Sequence, residues 1–170
     1  SGLPFSERYD GADDVSRLSR AVTTGWPATV EVLRQFQDRH SPPGAKFVYA
    51  SAETEVLGRV LTAATGKTMA ELTQQWIWEP MGAEHDAFWC TGKDRQAAAY
   101  FCFNASLRDW GRLGVMLAQD GRMGGQTGGR QIIPREYLLD ATDAWSLTVG
   151  KEDSAGIPDD VLQAAHAAAQ

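Results

Sequence analysis

Pro42-Pro43-Gly44-Ala45-Lys46-Phe47-Val48-Tyr49-Ala50-Ser51 runs straight into Ala52-Glu53-Thr54-Glu55-Val56-Leu57-Gly58. The prolines lack amides and fix φ, and glycine favours turns, so no helix passes through residues 42–44. Phe47-Val48-Tyr49 is aromatic and β-branched and prefers extended backbone. Ser51 is a good N-cap, with Glu53 and Glu55 near the positive end of the helix it would open. The pattern predicts a turn, a short extended piece and a helix, with the Tyr49 phenol held just ahead of the helix start. That position suits a catalytic group. On pattern alone, though, a tyrosine in an apolar strand is more often a half-buried packing residue with one hydrogen-bond partner.

Working outward, the chain reads as mostly helix. Ala52 to Thr65 places Val56, Leu57, Val60, Leu61 and Ala64 on one face, and Gly66 stands where a C-terminal glycine is expected. Thr29 to Arg39 is amphipathic, with Val30, Leu33 and Phe36 on its apolar side. Thr68-x-x-Glu71 is a capping box for a helix that buries Met69, Leu72 and Trp76 and stops before Pro80. Ser106 with Asp109 opens another, carrying Leu107, Trp110, Leu113, Gly114 and Leu117 to the turn at Asp120-Gly121. Gly124 to Gly129 reads as a loop, Arg130 to Ile133 as a short extended piece, and Pro134 suits a first helical turn. The six tryptophans are expected in the core or at element ends.

Composition sets bounds on function. With 170 residues and 43% hydrophobic content the chain can bury a core of its own and suggests one domain. It begins at Ser1, shows no charged-then-apolar leader and has no long apolar run, so no membrane span is expected. A net charge of −6 argues against nucleic acid or an anionic membrane as partner. His40, His85 and His166 fall in no ligand spacing, so neither a metal nor another cofactor is expected. In Glu84-His85-Asp86 a surface or capping role for His85 outweighs chelation, because consecutive residues point apart. Glu53 and Glu55 lie on different faces and make no glycosidase pair. Gly66-Lys67-Thr68 is no phosphate loop, since Leu61 stands where that motif needs glycine; Gly66 and Thr68 read as helix caps. Cys90 and Cys102 could be free or paired, and free, partly buried thiols are the expected state.

The same residues carry a family resemblance. Pro-Pro-Gly-x-x-Phe-x-Tyr-x-Ser followed by a Leu-Gly helix resembles the second motif of the penicillin-recognising serine hydrolases, nearest the β-lactamase-like esterases and 6-aminohexanoate-dimer hydrolases. Ser1-Gly2-Leu3 with Phe5-x-Glu7-x-Tyr9, Trp78 to Ala87, Phe103 to Gly114 and Gln131 to Pro134 extend the likeness in order from residue 1 to about residue 142. The resemblance implies an α+β fold that is mainly α in this chain: the helical region of a β-lactamase/transpeptidase-like domain without most of its sheet. Residues 143–170 form a diverged polar and alanine-rich tail, from a truncated or frame-shifted gene or from a C-terminus that has drifted.

The resemblance also implies acyl transfer through a serine ester, with an ester or amide as the small-molecule substrate and Tyr49 relaying protons. A free phenol titrates near pH 10 and is a poor base at neutral pH, but a neighbouring ammonium favours its phenolate. Ser51 takes the third motif position, on the substrate side, where penicillin-binding relatives carry asparagine, and this leans the expectation from β-lactams toward esters or small linear amides. No serine is followed three positions later by lysine, and neither Lys-Thr-Gly nor His-x-Gly occurs. The chain alone is therefore expected to be inactive, a helical fragment whose sheet-facing surface could drive self-association. A non-catalytic binding module or a truncated gene product is the alternative.

Overall fold

The computed structural model describes residues 2–42, 48–124 and 129–142. The tail from residue 143, the interior of the Gly124–Gly129 loop and residues 43–47 of the opening motif lie outside the described residues.

Helix α1, Asp14–Thr24, has strong local signals at both ends. The Asp13 carboxylate accepts the Ser16 amide as N-cap, and Gly25 closes the helix at φ 73° in the left-handed region that glycine enters without cost. Val15, Leu18, Ala21 and Val22 form its buried stripe. Sequence reading passed over this helix. A second helix, α2, spans only Thr29–Leu33, shorter than the run predicted to Arg39, and buries Val32 rather than Val30. Helix α3 covers Ser51–Thr65. The main core gathers Phe5, α1, Val32 of α2 and Ala50 and Ala52 at the start of α3, with Leu33, Phe36 and Tyr100 packed against it.

Two details of α3 correct the sequence reading. Ser51 is not its N-cap: Ala50 holds that place with no side-chain cap bond, and Ser51 is the first helical residue. The buried face is also not the apolar one. Ser51, Ala52, Glu55 and Gly58 are buried, whereas Val56, Leu57, Val60 and Leu61 are exposed. The reason is close approach. A Cβ added at Gly58 would stand 2.4 Å from the Ala99 Cβ, so only small side chains fit between α3 and the 98–100 segment. The Glu55 carboxylate is satisfied there by the Ala99 amide at 3.0 Å and the Arg59 guanidinium at 3.0 Å.

Gly66 ends α3 and Thr68 opens α4, Met69–Thr73, through a full capping box, both as expected. Helix α4 runs into a π-helical turn at Gln74–Trp78 and buries Leu72. Strands β1, Phe88–Trp89, and β2, Phe103–Asn104, pair antiparallel with Trp89 opposite Phe103. Trp78, Trp89 and Trp110 surround the Phe103 ring at 5.3, 4.8 and 5.7 Å. Trp26, Trp76 and Trp110 are themselves exposed, against the expectation of burial, and Trp145 lies outside the described residues. Cys90 and Cys102 are joined in a disulfide behind this hairpin, which corrects the expectation of free thiols. The antiparallel frame makes them neighbours, since the Cys90 amide donates to the Cys102 carbonyl.

Helix α5, Leu107–Ala118, opens as predicted at Ser106, whose hydroxyl accepts the Asp109 amide. Its buried residues are Asp109 and Met116, while Leu107, Trp110 and Leu117 face outward. A second hairpin of β3, Arg122–Met123, and β4, Arg130–Gln131, leads to α6, Arg135–Thr142, just after Pro134. The described residues are thus mainly helical, with two two-stranded sheets. None of their helices is long and apolar enough to cross a membrane.

Candidate active site

Three segments meet at the start of α3. The first is the N-terminal stretch, where Gly2 sits at φ 79° with Ser41 so near that a Cβ would meet its carbonyl at 2.7 Å. The His40 amide donates to the Gly2 carbonyl at 2.8 Å. The second is the extended Val48–Ala50 piece with the first turn of α3. The third is Tyr100, whose hydroxyl lies 3.2 Å from the Ser19 hydroxyl of α1.

Tyr49 is 69% exposed and lines an open cavity of about 290 Å³ with Val48, Ser51, Thr54, Leu57 and Tyr100. Among the described residues its hydroxyl has no hydrogen-bond partner. The predicted burial of an ordinary packing tyrosine does not describe it. Ser51 lines the same cavity but is buried, and its polar groups are engaged. Its amide donates to Glu7 Oε2 at 2.8 Å and its hydroxyl to Glu7 Oε1 at 2.7 Å. The Tyr9 hydroxyl donates to the same Oε1 at 2.6 Å. That hydrogen bond to the Glu7 carboxylate, which ionisation would break, pushes the Tyr9 phenol up to about 12.

The segment carrying Glu7 is pinned from both sides. The Ser6 amide and hydroxyl both donate to Asp14 Oδ2, at 3.0 and 2.7 Å. The amides of Arg8 and Tyr9 donate to the Asp13 carboxylate, which holds Tyr9 at φ 58°, an uncommon conformation for a non-glycine residue. The Ser16 hydroxyl first, and these amides with it, lower the Asp13 carboxyl to about 2. Sequence reading quoted Glu7 and Tyr9 only as motif letters. The signal that could have found their role was Asp13, a capping residue just before the Val15-Leu18-Val22 stripe.

A second constellation, around Glu84-His85-Asp86, is structural. The Asp109 carboxylate is fully buried and accepts the Glu84 amide at 2.8 Å, the His85 amide at 3.2 Å, the Ser106 hydroxyl at 2.7 Å and Arg112 at 2.8 Å. The Glu84 amide first, and then these other donors, hold it well below the ordinary carboxylate range. The His85 imidazole is on the surface, 3.4 Å from Asp109 Oδ2, in keeping with the surface position that was one of the two roles expected for it. The adjoining cavity of about 400 Å³ is walled by Trp78, Trp89 and Phe103. Both of its indole N–H groups are committed, to the His85 carbonyl and the Thr73 hydroxyl. Among the described residues no group of three or more His, Cys, Asp or Glu could hold a metal ion.

A family model described as Beta-lactamase matches residues 1–149. The chain belongs to the β-lactamase family. Among solved structures, this β-lactamase-family chain is similar to a Bacillus anthracis protein bearing the name 6-aminohexanoate-dimer hydrolase, with a TM-score of 0.66 and 22% identity. The match covers 82% of this chain and 38% of that one, so the chain spans well under half of its neighbour's length. At this identity the likeness establishes the fold: the helices described here form part of a β-lactamase-like domain.

Proposed function

We propose that this chain carries the proton-relay side of a serine-hydrolase acyl-transfer site that acts on an ester or a small linear amide. Tyr49 is the relay and Ser51 borders the substrate. The observation that supports this reading most is the placement of Tyr49, exposed at the start of α3 over an open cavity, in a chain of the β-lactamase family. A serine hydroxyl attacking a carbonyl must lose its proton, and the leaving group must gain one; a phenol beside both can carry it from the first to the second. The name borne by the Bacillus anthracis neighbour agrees with a linear amide.

On these residues alone the chain is inactive as a hydrolase. The serine, its activating lysine and the oxyanion-hole amides act as a unit with the relay, and loss of the nucleophile removes nearly all of the chemistry. The engagement of the Ser51 hydroxyl by Glu7 argues against Ser51 as a replacement nucleophile. It also favours a second reading, a helical module that binds a small acyl compound without turning it over. We further propose that the exposed apolar face of α3 supports self-association.

Incubation with p-nitrophenyl acetate and nitrocefin tests the reading. The expected result is no turnover above a Tyr49→Phe control. Joined in one polypeptide with a Ser-x-x-Lys segment and the sheet edge that completes the oxyanion hole, the same chain should hydrolyse the ester, and Tyr49→Phe should then lower kcat by roughly 10², the usual cost of a lost proton-transfer group. Saturable hydrolysis by the chain alone that vanishes in Ser51→Ala would show that the nucleophile is Ser51.

A further inference from the structure

Helix α3 begins without a cap of its own. Ala50 offers no side-chain acceptor, so the first amides of the helix must find partners elsewhere. The partner of the Ser51 amide is Glu7, 44 residues earlier in the chain. Three donors converge on this one carboxylate: the Ser51 amide on Oε2, and the Ser51 and Tyr9 hydroxyls on Oε1. An anionic group here also lies at the positive end of the α3 dipole. Only a side chain with two accepting oxygens satisfies this set, because an amide side chain accepts on one atom and donates on the other.

We propose that Glu7 is the positioning residue of the candidate site: as a remote cap of α3 it sets the place of the Tyr49 ring two residues before Ser51. This rests on the reading of Tyr49 as the relay only for its functional meaning, since the placement itself can be measured without activity. The geometry explains why Glu7 is held so firmly. Ser6 and the amides of Arg8 and Tyr9 bracket it on the carboxylates of Asp14 and Asp13, at the N-terminus of α1. Through Glu7 the start of α1 is therefore fastened to the start of α3, and the cavity beside Tyr49 lies at that junction. The charged and titratable groups that act on the Tyr9 phenol there are Glu7, Tyr49 and Asp13.

The test is NMR of the full chain labelled at tyrosine Cζ, compared with Glu7→Gln, Tyr9→Phe and Ser51→Ala. In Glu7→Gln the Tyr9 titration should fall from about 12 toward the ordinary value of about 10, and the Tyr49 ring signal should move. The Tyr137 signal on α6 should not change, and the far-ultraviolet circular dichroism should stay helical. Tyr9→Phe leaves both Ser51 contacts in place and should leave Tyr49 where it is. Ser51→Ala, which keeps the amide contact, should move it less than Glu7→Gln does. If Glu7→Gln fails to fold, the difference between the other two variants decides. A Tyr49 signal unchanged in Glu7→Gln, or moved equally by Tyr9→Phe and Ser51→Ala, overturns the proposal. In the chain completed with the Ser-x-x-Lys segment and the sheet edge, hydrolysis unchanged by Tyr49→Phe would instead overturn the relay reading and leave these signals untouched.

Discussion

Gly58 shows how one missing methyl group sets a helix position. An alanine there would be the better helix former by up to about 1 kcal/mol. Its Cβ would stand 2.4 Å from that of Ala99, a separation that atoms do not tolerate, so either α3 or the 98–100 segment must retreat. Overpacking of this kind costs about 1–3 kcal/mol and outweighs the gain. Gly58→Ala should therefore lower the urea midpoint, and adding Ala99→Gly should recover most of the loss. A Gly58→Ala chain as stable as the parent would mean that the two backbones are not in close contact. In the sequence Gly58 was visible as a motif letter, but its partner was not. Nothing local says which residue 41 positions later will face it.

At the level of the helix, two buried carboxylates fix helix starts in place and give the fold an acid limit. Asp13 caps α1, and Asp109 joins the first turn of α5 to the 84–85 turn. Both have carboxyl pKa values below those of the unfolded chain, Asp13 at about 2. The unfolded state thus binds more protons, and stability rises with pH through this range. The contribution is complete above about pH 5, where unfolded aspartates are fully ionised, and drains away as pH falls through their ordinary range, about 4, and below. Urea midpoints of the parent and Asp109→Asn should differ widely at pH 6 and draw together as pH falls below the ordinary aspartate range; a constant gap would contradict the assignment. Caps of this sort were legible where donor and acceptor lie within one turn, as in Thr68 with Glu71 and Ser106 with Asp109. They were illegible where the acceptor comes from afar. Ser51 looked like the cap of α3, and only the fold shows that Glu7 fills that role.

For the molecule as a whole, the mismatch on α3 carries the most meaning. Periodicity correctly identified Val56, Leu57, Val60 and Leu61 as one apolar face, and the inference that such a face is buried failed here. Periodicity records what a helix is made to cover, whereas burial depends on whether the covering element is present. The same holds for Leu117 and Trp110 on α5. The fold class was legible because ordered motifs and caps survive in a partial domain. The exposed position of Tyr49 ahead of α3 was legible and the contact of Glu7 with Ser51 was not, because the first is marked by its own neighbours and the second by a long-range contact. An uncovered face of four large aliphatic side chains favours pairing. Multi-angle light scattering should give a mass above that of one chain at high concentration, and Leu57→Lys with Val60→Lys should restore the monomer mass. A monomer at all concentrations would remove the self-association proposal.

The bridge between Cys90 and Cys102 spans 12 positions of sequence, and the loop it encloses presents Lys93 and Arg95 to solvent. A protease that cuts after basic residues would find its peptide bonds there. The products would not come apart: the piece with α1 to α4 and the piece with α5 and α6 would stay joined through sulfur. Between these two halves the chain is covalently continuous twice over, and a nick in this loop turns one polypeptide into a two-chain molecule without changing its mass by more than a water.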